Sequence, residues 1–280
     1  MCGRFALHEP VEDLVARFSV DQVGPGVDRE GPRWNVAPTQ PVLVVSSGRD
    51  GQERRLWAPR WGLVPSWAPD PSVGNRMINA RAETLGTSRA FRRAFASRRC
   101  LIPASGFYEW RKAGGADRTG PAGHAGSGGR TAPLQTGSRE TRSGATRSRS
   151  GTRGGARQPF YVHSADGSPL ALAGLWEVWH DAEEKPLYSC TIVTTAASSD
   201  LDQVHDRMPL VLPPEMWNRW LGPGPLNETE AAQLLAPPAP CLLVLQEVGS
   251  RVNSPANDGP DLIEPVGETS AGAVPPVLPF

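Results

Sequence analysis

The stretch at positions 113–157 sets the first limit on what this chain can fold into. It is built mainly from Gly, Ala, Ser, Thr and Arg, and Leu134 is its one large aliphatic residue. A segment so poor in apolar side chains cannot offset the entropy of ordering, and it reads as a disordered insertion. Its charge constrains the rest of the molecule. Eight arginines against Asp117 and Glu140 leave it at +6, and since the 280 residues sum to zero, the remainder carries −6. Any grip on nucleic acid by the folded part must then come from a local cluster of cations, not from bulk charge. The insertion itself is either a solvated spacer or a source of non-specific phosphate affinity, and His124 within it is read as uninvolved.

The insertion falls between two strand candidates, 106–111 and 159–163, which makes it a decorated hairpin loop inside one domain. The expected organisation is a single domain over 1–270, interrupted at 113–157, with a loose tail at 271–280. No apolar run approaches the ~20 residues of a membrane helix, and the start, MCGRFALHEP, lacks the charged and apolar regions of a secretory signal. The four cysteines (Cys2, Cys100, Cys190, Cys241) show no CxxC spacing, which disfavours a disulfide scaffold or a zinc finger and fits a reducing, cytoplasmic setting. No phosphate-cradling glycine loop, HExxH or GxSxG is present. The expectation is a protein without metal or cofactor. Positive charge is almost all arginine, with Lys112 and Lys185 the only lysines. Guanidinium forks suit phosphates and flat rings, although a GC-rich coding sequence produces the same bias.

Hydrophobic periodicity gives short helices at 10–18, 89–96, 214–221 and 228–235. Strands are expected at 42–46, 100–103, 106–111, 159–163, 170–178, 187–195 and 241–248, with a further strand starting near Gly3. Strands outnumber helices without regular alternation. The fold class is therefore α+β, a single β-rich domain with a central twisted sheet or barrel-like core and a few short flanking helices.

Several segments can carry chemistry. Cys2 follows the initiator methionine, and its small side chain favours methionine removal. The processed chain would then present an α-amine and a β-thiol on one residue, with ordinary pKa values of roughly 7.7–8.0 and 8.5. Such a 1,2-aminothiol condenses with an aldehyde to an imine, and the thiol closes on it to form a thiazolidine. Asn79 and Arg81, alternating on a strand, share a face. Glu109 lies between Tyr108 and Trp110, where desolvation would raise a carboxyl pKa and make it a general acid. His205 stands beside Asp206 and Arg207 and suits proton transfer. Trp67 ends a Pro-containing loop, where an exposed ring can stack on a base, whereas Trp34, Trp110, Trp176 and Trp179 read as core. Each of these residues taken alone also has a structural reading.

Together they are more specific. MCGRF (1–5), WNVAPT (34–39), WGLVPSW (61–67), NARAET (79–84), RCLIPASGFYEW (99–110), AGLWE (173–177), TTAA (194–197), HDRMPL (205–210), VNSPANDGP (252–260) and LIEP (262–265) occur in order. This pattern resembles the SRAP family, the SOS response-associated peptidases or abasic-site processing proteins, over nearly the whole chain except the insertion and the last residues. The resemblance implies covalent capture of abasic sites in single-stranded DNA. It implies that Cys2 supplies amine and thiol, that Glu109 and His205 handle protons, and that Asn79 positions the amine or the sugar. It also implies that Arg4, Arg81, Arg89 and Arg207 grip phosphates, that Trp67 interrupts base stacking and that Asn35 lines the same groove. The expected partner is single-stranded DNA with abasic sites, alongside replication-fork proteins, with the chain acting as a monomer.

Two other classes stay open at this point. A cysteine peptidase or amidohydrolase would pair Cys2 with His205 and use Asn79 as orienter, self-removal of Met1 included. A plain single-stranded nucleic-acid binding module would work equally well with Met1 retained.

Overall fold

The structure, a computed structural model, describes residues 2–27, 31–48, 50–111, 157–199, 201–236 and 243–267. Residues 112–156, the tail from 268 and Cys241 lie outside them, so the expectations for the insertion and the tail do too. In chain order the elements are β1 (Phe5–Leu7), α1 (Val11–Arg17), β2 (Gln22–Val23), β3 (Arg33–Val36), β4 (Val44–Ser47), β5 (Arg54–Trp57), β6 (Arg60–Trp61), β7 (Asn79–Arg81), α2 (Arg92–Ser97), β8 (Arg99–Ala104) and β9 (Gly106–Arg111). They continue with β10 (Gln158–Ser164), β11 (Leu170–His180), β12 (Pro186–Ala196), β13 (Arg207–Pro209), α3 (Pro214–Leu221), α4 (Glu228–Leu235) and β14 (Leu243–Glu247).

Two sheets organise the molecule. The first runs β14-β10-β9-β1-β3 and the second β13-β12-β11-β8-β4-β5-β2, with β6 and β7 added to β12 in parallel. Both are open: the structure is the twisted-sheet form of the expected α+β core, not a closed barrel. β9 and β10 pair antiparallel with Arg111 opposite Gln158, so the chain leaves and re-enters for residues 112–156 at one hairpin end.

The two sheets share one core. Strand alternation sorts the side chains: Phe5, Leu7 and Phe107 join the main cluster with Leu101, Leu172 and Ile192 of the second sheet. Ala6 and Tyr108 point the other way, into a small cluster closed by Val248 and Val252. By the same alternation Glu109 follows Phe107 onto the inner face, and it is 3 % exposed. In α3, Trp217, Trp220 and Leu221 form the inward stripe, and the Trp220 indole donates to the Cys100 carbonyl at 2.8 Å. α4 begins with a reciprocal capping box between Asn227 and Glu230. Of the four tryptophans expected in the core, Trp34, Trp110, Trp176 and Trp179 are only half-buried, because they lie on strands with one face at the surface. Trp61 and Trp220 are fully buried instead.

Candidate active site

The chain start is held by β1, which is paired on both sides: Phe5 faces Phe107 of β9 and Val36 of β3. Cys2, just ahead of it, is 0 % exposed. Its thiol donates to the Arg4 carbonyl at 3.8 Å. Burial, and next the charge of Glu109, push the thiol well above its ordinary range. From the second sheet comes Asn79, first residue of β7, whose side-chain amide donates to the Cys2 carbonyl at 2.7 Å. Asn79 Oδ1 is buried with no hydrogen-bond partner among the described residues. β7 is set there by its parallel pairing with β12, Asn79 opposite Ile192 and Arg81 opposite Thr194.

Glu109 lies on the inner face of β9, close enough to the Cys2 thiol and to His205 to interact electrostatically with both. Burial raises its pKa, and positive charge from the chain's amino end and from His205 opposes the shift. His205 precedes β13. Its Nδ1 lies 3.0 Å from the Arg207 backbone N–H and 2.8 Å from Asp206 Oδ1. It accepts from the former when the ring proton is on Nε2, and donates to the latter when Nδ1 is protonated. Cys2, Asn79, Glu109 and His205, far apart in sequence, thus meet at the seam between the sheets. Such a cluster supplies a thiol, a carboxyl whose protonated form is favoured by burial, an imidazole and an amide with a spare acceptor. Among the described residues no group of three or more His, Cys, Asp or Glu could hold a metal ion.

The residues expected to contact DNA divide into two sets. Trp67, 43 % exposed, is the one exposed tryptophan, and the Arg89 guanidinium lies 4.5 Å above its ring centroid. Its loop is held by Gly62 (φ +119°), where a Cβ would sit 2.6 Å from the Gly74 carbonyl oxygen. Arg81 is exposed at the end of β7. Arg4, Asn35 and Arg207 are placed differently. Arg4 donates to Asn35 Oδ1 at 2.7 Å and to the Val252 carbonyl at 2.9 Å. Asn35 is 1 % exposed, and its amide donates to the carbonyls of Val252, Ser254 and Asn257. It therefore braces the 250–257 turn under the site, and the expectation that it lines an open groove is corrected: every polar atom of its side chain is taken by the fold. Arg207 makes a two-pronged pair with Glu83, at 2.5 and 3.0 Å, and donates to the Thr194 carbonyl at 2.6 Å. Sequence reasoning gave Glu83 no role, although it lies inside NARAET; the only signal was an acid two residues from Arg81, which does not identify Arg207 as its partner.

The family model for SOS response associated peptidase (SRAP) matches residues 1–123 and 149–255. The chain belongs to the SRAP family. The matched ranges take in Cys2, Asn79, Glu109 and His205 and skip 124–148, the middle of the arginine-rich insertion. The protein is 36 % identical over 264 residues to the abasic site processing protein YoqW of Bacillus subtilis (strain 168), covering 94 % of this chain and 99 % of that one. It is 30 % identical to the abasic site processing protein YedK of Escherichia coli (strain K12), over 95 % of this chain and the whole of YedK (100 %). It is also 30 % identical to the abasic site processing protein HMCES of Pongo abelii, over 95 % of this chain and 76 % of that one. Among solved structures, a protein of Bacteroides thetaiotaomicron superposes with a TM-score of 0.72 at 20 % identity, covering 94 % of this chain and 99 % of the other. That likeness speaks for the SRAP fold alone. No helix of the described residues is long and apolar enough to cross a membrane.

Proposed function

We propose that this protein processes abasic sites in single-stranded DNA by capturing them on Cys2 after Met1 is removed. Three SRAP relatives named as abasic site processing proteins support the substrate. The observation that carries the chemistry is the Asn79 amide on the Cys2 carbonyl at 2.7 Å, with Glu109 beside the thiol. A ring-opened abasic deoxyribose is an aldehyde. The α-amine of processed Cys2 adds to it, water leaves and an imine forms. The thiol sulfur then adds to the imine carbon, its proton passes to nitrogen, and a thiazolidine closes. Water loss needs an acid and thiol addition a base. A carboxyl lifted by burial serves both, with His205 as the second proton carrier. The free Asn79 acceptor suits the amine or a sugar hydroxyl. The exposed Trp67–Arg89 pair and Arg81 supply a stacking face and cations for the flanking strand.

The peptidase reading is supported by the family model's description, whereas the curated relatives are named for abasic site processing, which favours capture. Intact mass of the protein mixed with an abasic oligonucleotide tests the proposal. The expected species lacks one methionine and carries the oligonucleotide minus one water. A protein that keeps Met1 yet crosslinks equally well, or a Cys2→Ser variant whose adduct survives heat and denaturant, would overturn it. Cleavage of added peptides without any DNA adduct would favour the peptidase.

A further inference from the structure

The second sheet carries a group of aromatic side chains that the capture chemistry does not use. Alternation along β5 puts Arg55 and Trp57 on one face, and Ser46 of β4, opposite Arg55, shares it. The same face runs on through Cys100 of β8, which pairs with both Ser46 and Gly174, to Trp176 of β11 and Tyr188 of β12. Although β8 and β4 lie between β11 and β5, the two indoles lean together across them. The Trp57 ring centroid is 5.4 Å from that of Trp176 and 5.5 Å from that of Tyr188, each at nearly a right angle. The Trp57 indole N–H donates to Ser46 Oγ at 2.9 Å, which fixes the ring.

Beside these rings opens a cleft of about 920 Å³, large enough for a small ligand. Trp57, Trp176 and Tyr188 form its apolar wall, and Arg55, Arg60 and Glu53 carry its charge. None of Cys2, Asn79, Glu109, His205 or Trp67 lines it. Tyr188 is 45 % exposed, so an aromatic face is open to a flat ligand. Arg55 is exposed and makes no hydrogen bond or ion pair among the described residues. Arg60 is tied at one end to Asn75 Oδ1 at 2.6 Å, and the single carboxylate, Glu53, is held by Gln22 Nε2 at 2.6 Å. Two guanidinium groups against one carboxylate favour an anion and disfavour a cation. Along the strand Arg55 and Trp57 stand roughly 7 Å apart, the scale that separates the base of a nucleotide from its own phosphate. We propose that this cleft binds a nucleotide, with the base against the Trp57–Tyr188 wall and the phosphate on Arg55. Two sources share that chemistry: a free nucleoside monophosphate, and one unit of a single strand already bound by the protein.

Calorimetric titration of the full chain with deoxyadenosine monophosphate, deoxyadenosine and inorganic phosphate tests the proposal. None of these probes is an aldehyde, so none reacts at Cys2. The monophosphate should saturate one site and outbind both the nucleoside, which lacks the charge, and phosphate, which lacks the ring. Tyr188→Ala should weaken it by about tenfold, as expected for loss of one stacking ring. Arg55→Gln should weaken it by about as much and flatten its salt dependence. Because Arg55→Gln removes no internal bond, it reports on the cleft even where Tyr188→Ala is destabilised. Trp67→Ala should leave monophosphate binding unchanged. Intact single strands of increasing length separate the two sources. If the cleft takes a unit of the bound strand, Arg55→Gln weakens only the longer strands and the monophosphate competes with them. If it takes a free nucleotide, strand affinity responds to neither. No saturable monophosphate binding by the wild type, together with unaltered strand affinity in Arg55→Gln, would overturn the proposal. So would monophosphate binding lost in Trp67→Ala and kept in both cleft variants. A wild-type protein that forms no crosslink would end the capture reading and leave these titrations as decisive as before.

Discussion

The floor of the site and its rim use the same residue types in opposite ways. On the floor, Arg4 donates to Asn35 and the Val252 carbonyl, Arg207 donates to Glu83, and Glu109 is sealed between the sheets. On the rim, Arg81 faces solvent and Arg89 lies on an exposed Trp67 ring. Terminal nitrogens of Arg4 and Arg207 are held by the fold, while Nε of each is buried with no hydrogen-bond partner among the described residues. Arg81 and Arg89 instead present their guanidinium ends at the surface. Floor substitutions should therefore change chemistry and stability, and rim substitutions should change salt-dependent affinity.

The largest effect is expected at Glu109. Glu109→Gln should slow crosslinking by roughly 10²–10⁴-fold while strand affinity holds, measured by single-turnover gel shift. It should also alter stability in a stated direction. Because the folded-state pKa of Glu109 is raised, its protonated form favours the fold. That contribution is complete below the unfolded value and is lost as pH rises through the raised one. The Gln variant should thus become progressively more stable than wild type as pH climbs out of the ordinary carboxylate range. Equal pH profiles of Tm for the two would remove Glu109 from the buried floor.

Next comes Arg4→Ala, expected to cost roughly 1.5–3 kcal/mol of stability, since it takes charge-assisted bonds away from a buried asparagine and a carbonyl. Denaturant titration reads it; an unchanged midpoint with weakened DNA binding would move Arg4 to the rim. Trp67→Ala should lose roughly 1–3 kcal/mol of single-strand affinity with little change in stability. The smallest effect belongs to Arg81→Ala and Arg89→Ala. Each should flatten the slope of log affinity against log salt by about 0.7 if it neutralises one phosphate of a single strand. An unaltered slope in both would mean that the rim does not carry the phosphate contacts.

Much of the fold was legible because local chemistry and tertiary demand agree. The pattern of α3 places Trp217, Trp220 and Leu221 on one stripe, and its expected and observed bounds coincide at Pro214 and Leu221. Gly106–Arg111 is likewise the same in both. Strands such as β2, β6 and β13 were not legible: two or three residues carry no periodicity, and only their partners make them strands. The helix expected from residue 89 begins at Arg92, and Arg89 is instead drawn onto Trp67.

For the site, sequence alone determined which chemical groups the chain has to offer: a cysteine at position 2, a glutamate between aromatics, a histidine beside proton partners and an ordered series of SRAP motifs. These depend on residue type and local spacing, and a linear reading contains both. Only the tertiary structure decided which of those groups meet, which arginines face solvent, and that Asn35 is buried against Arg4 while Arg207 pairs with Glu83. Burial and hydrogen-bond partnership depend on residues more than a hundred positions away, such as Val252 beneath Arg4 and Glu83 on Arg207, and no local pattern encodes such a pairing.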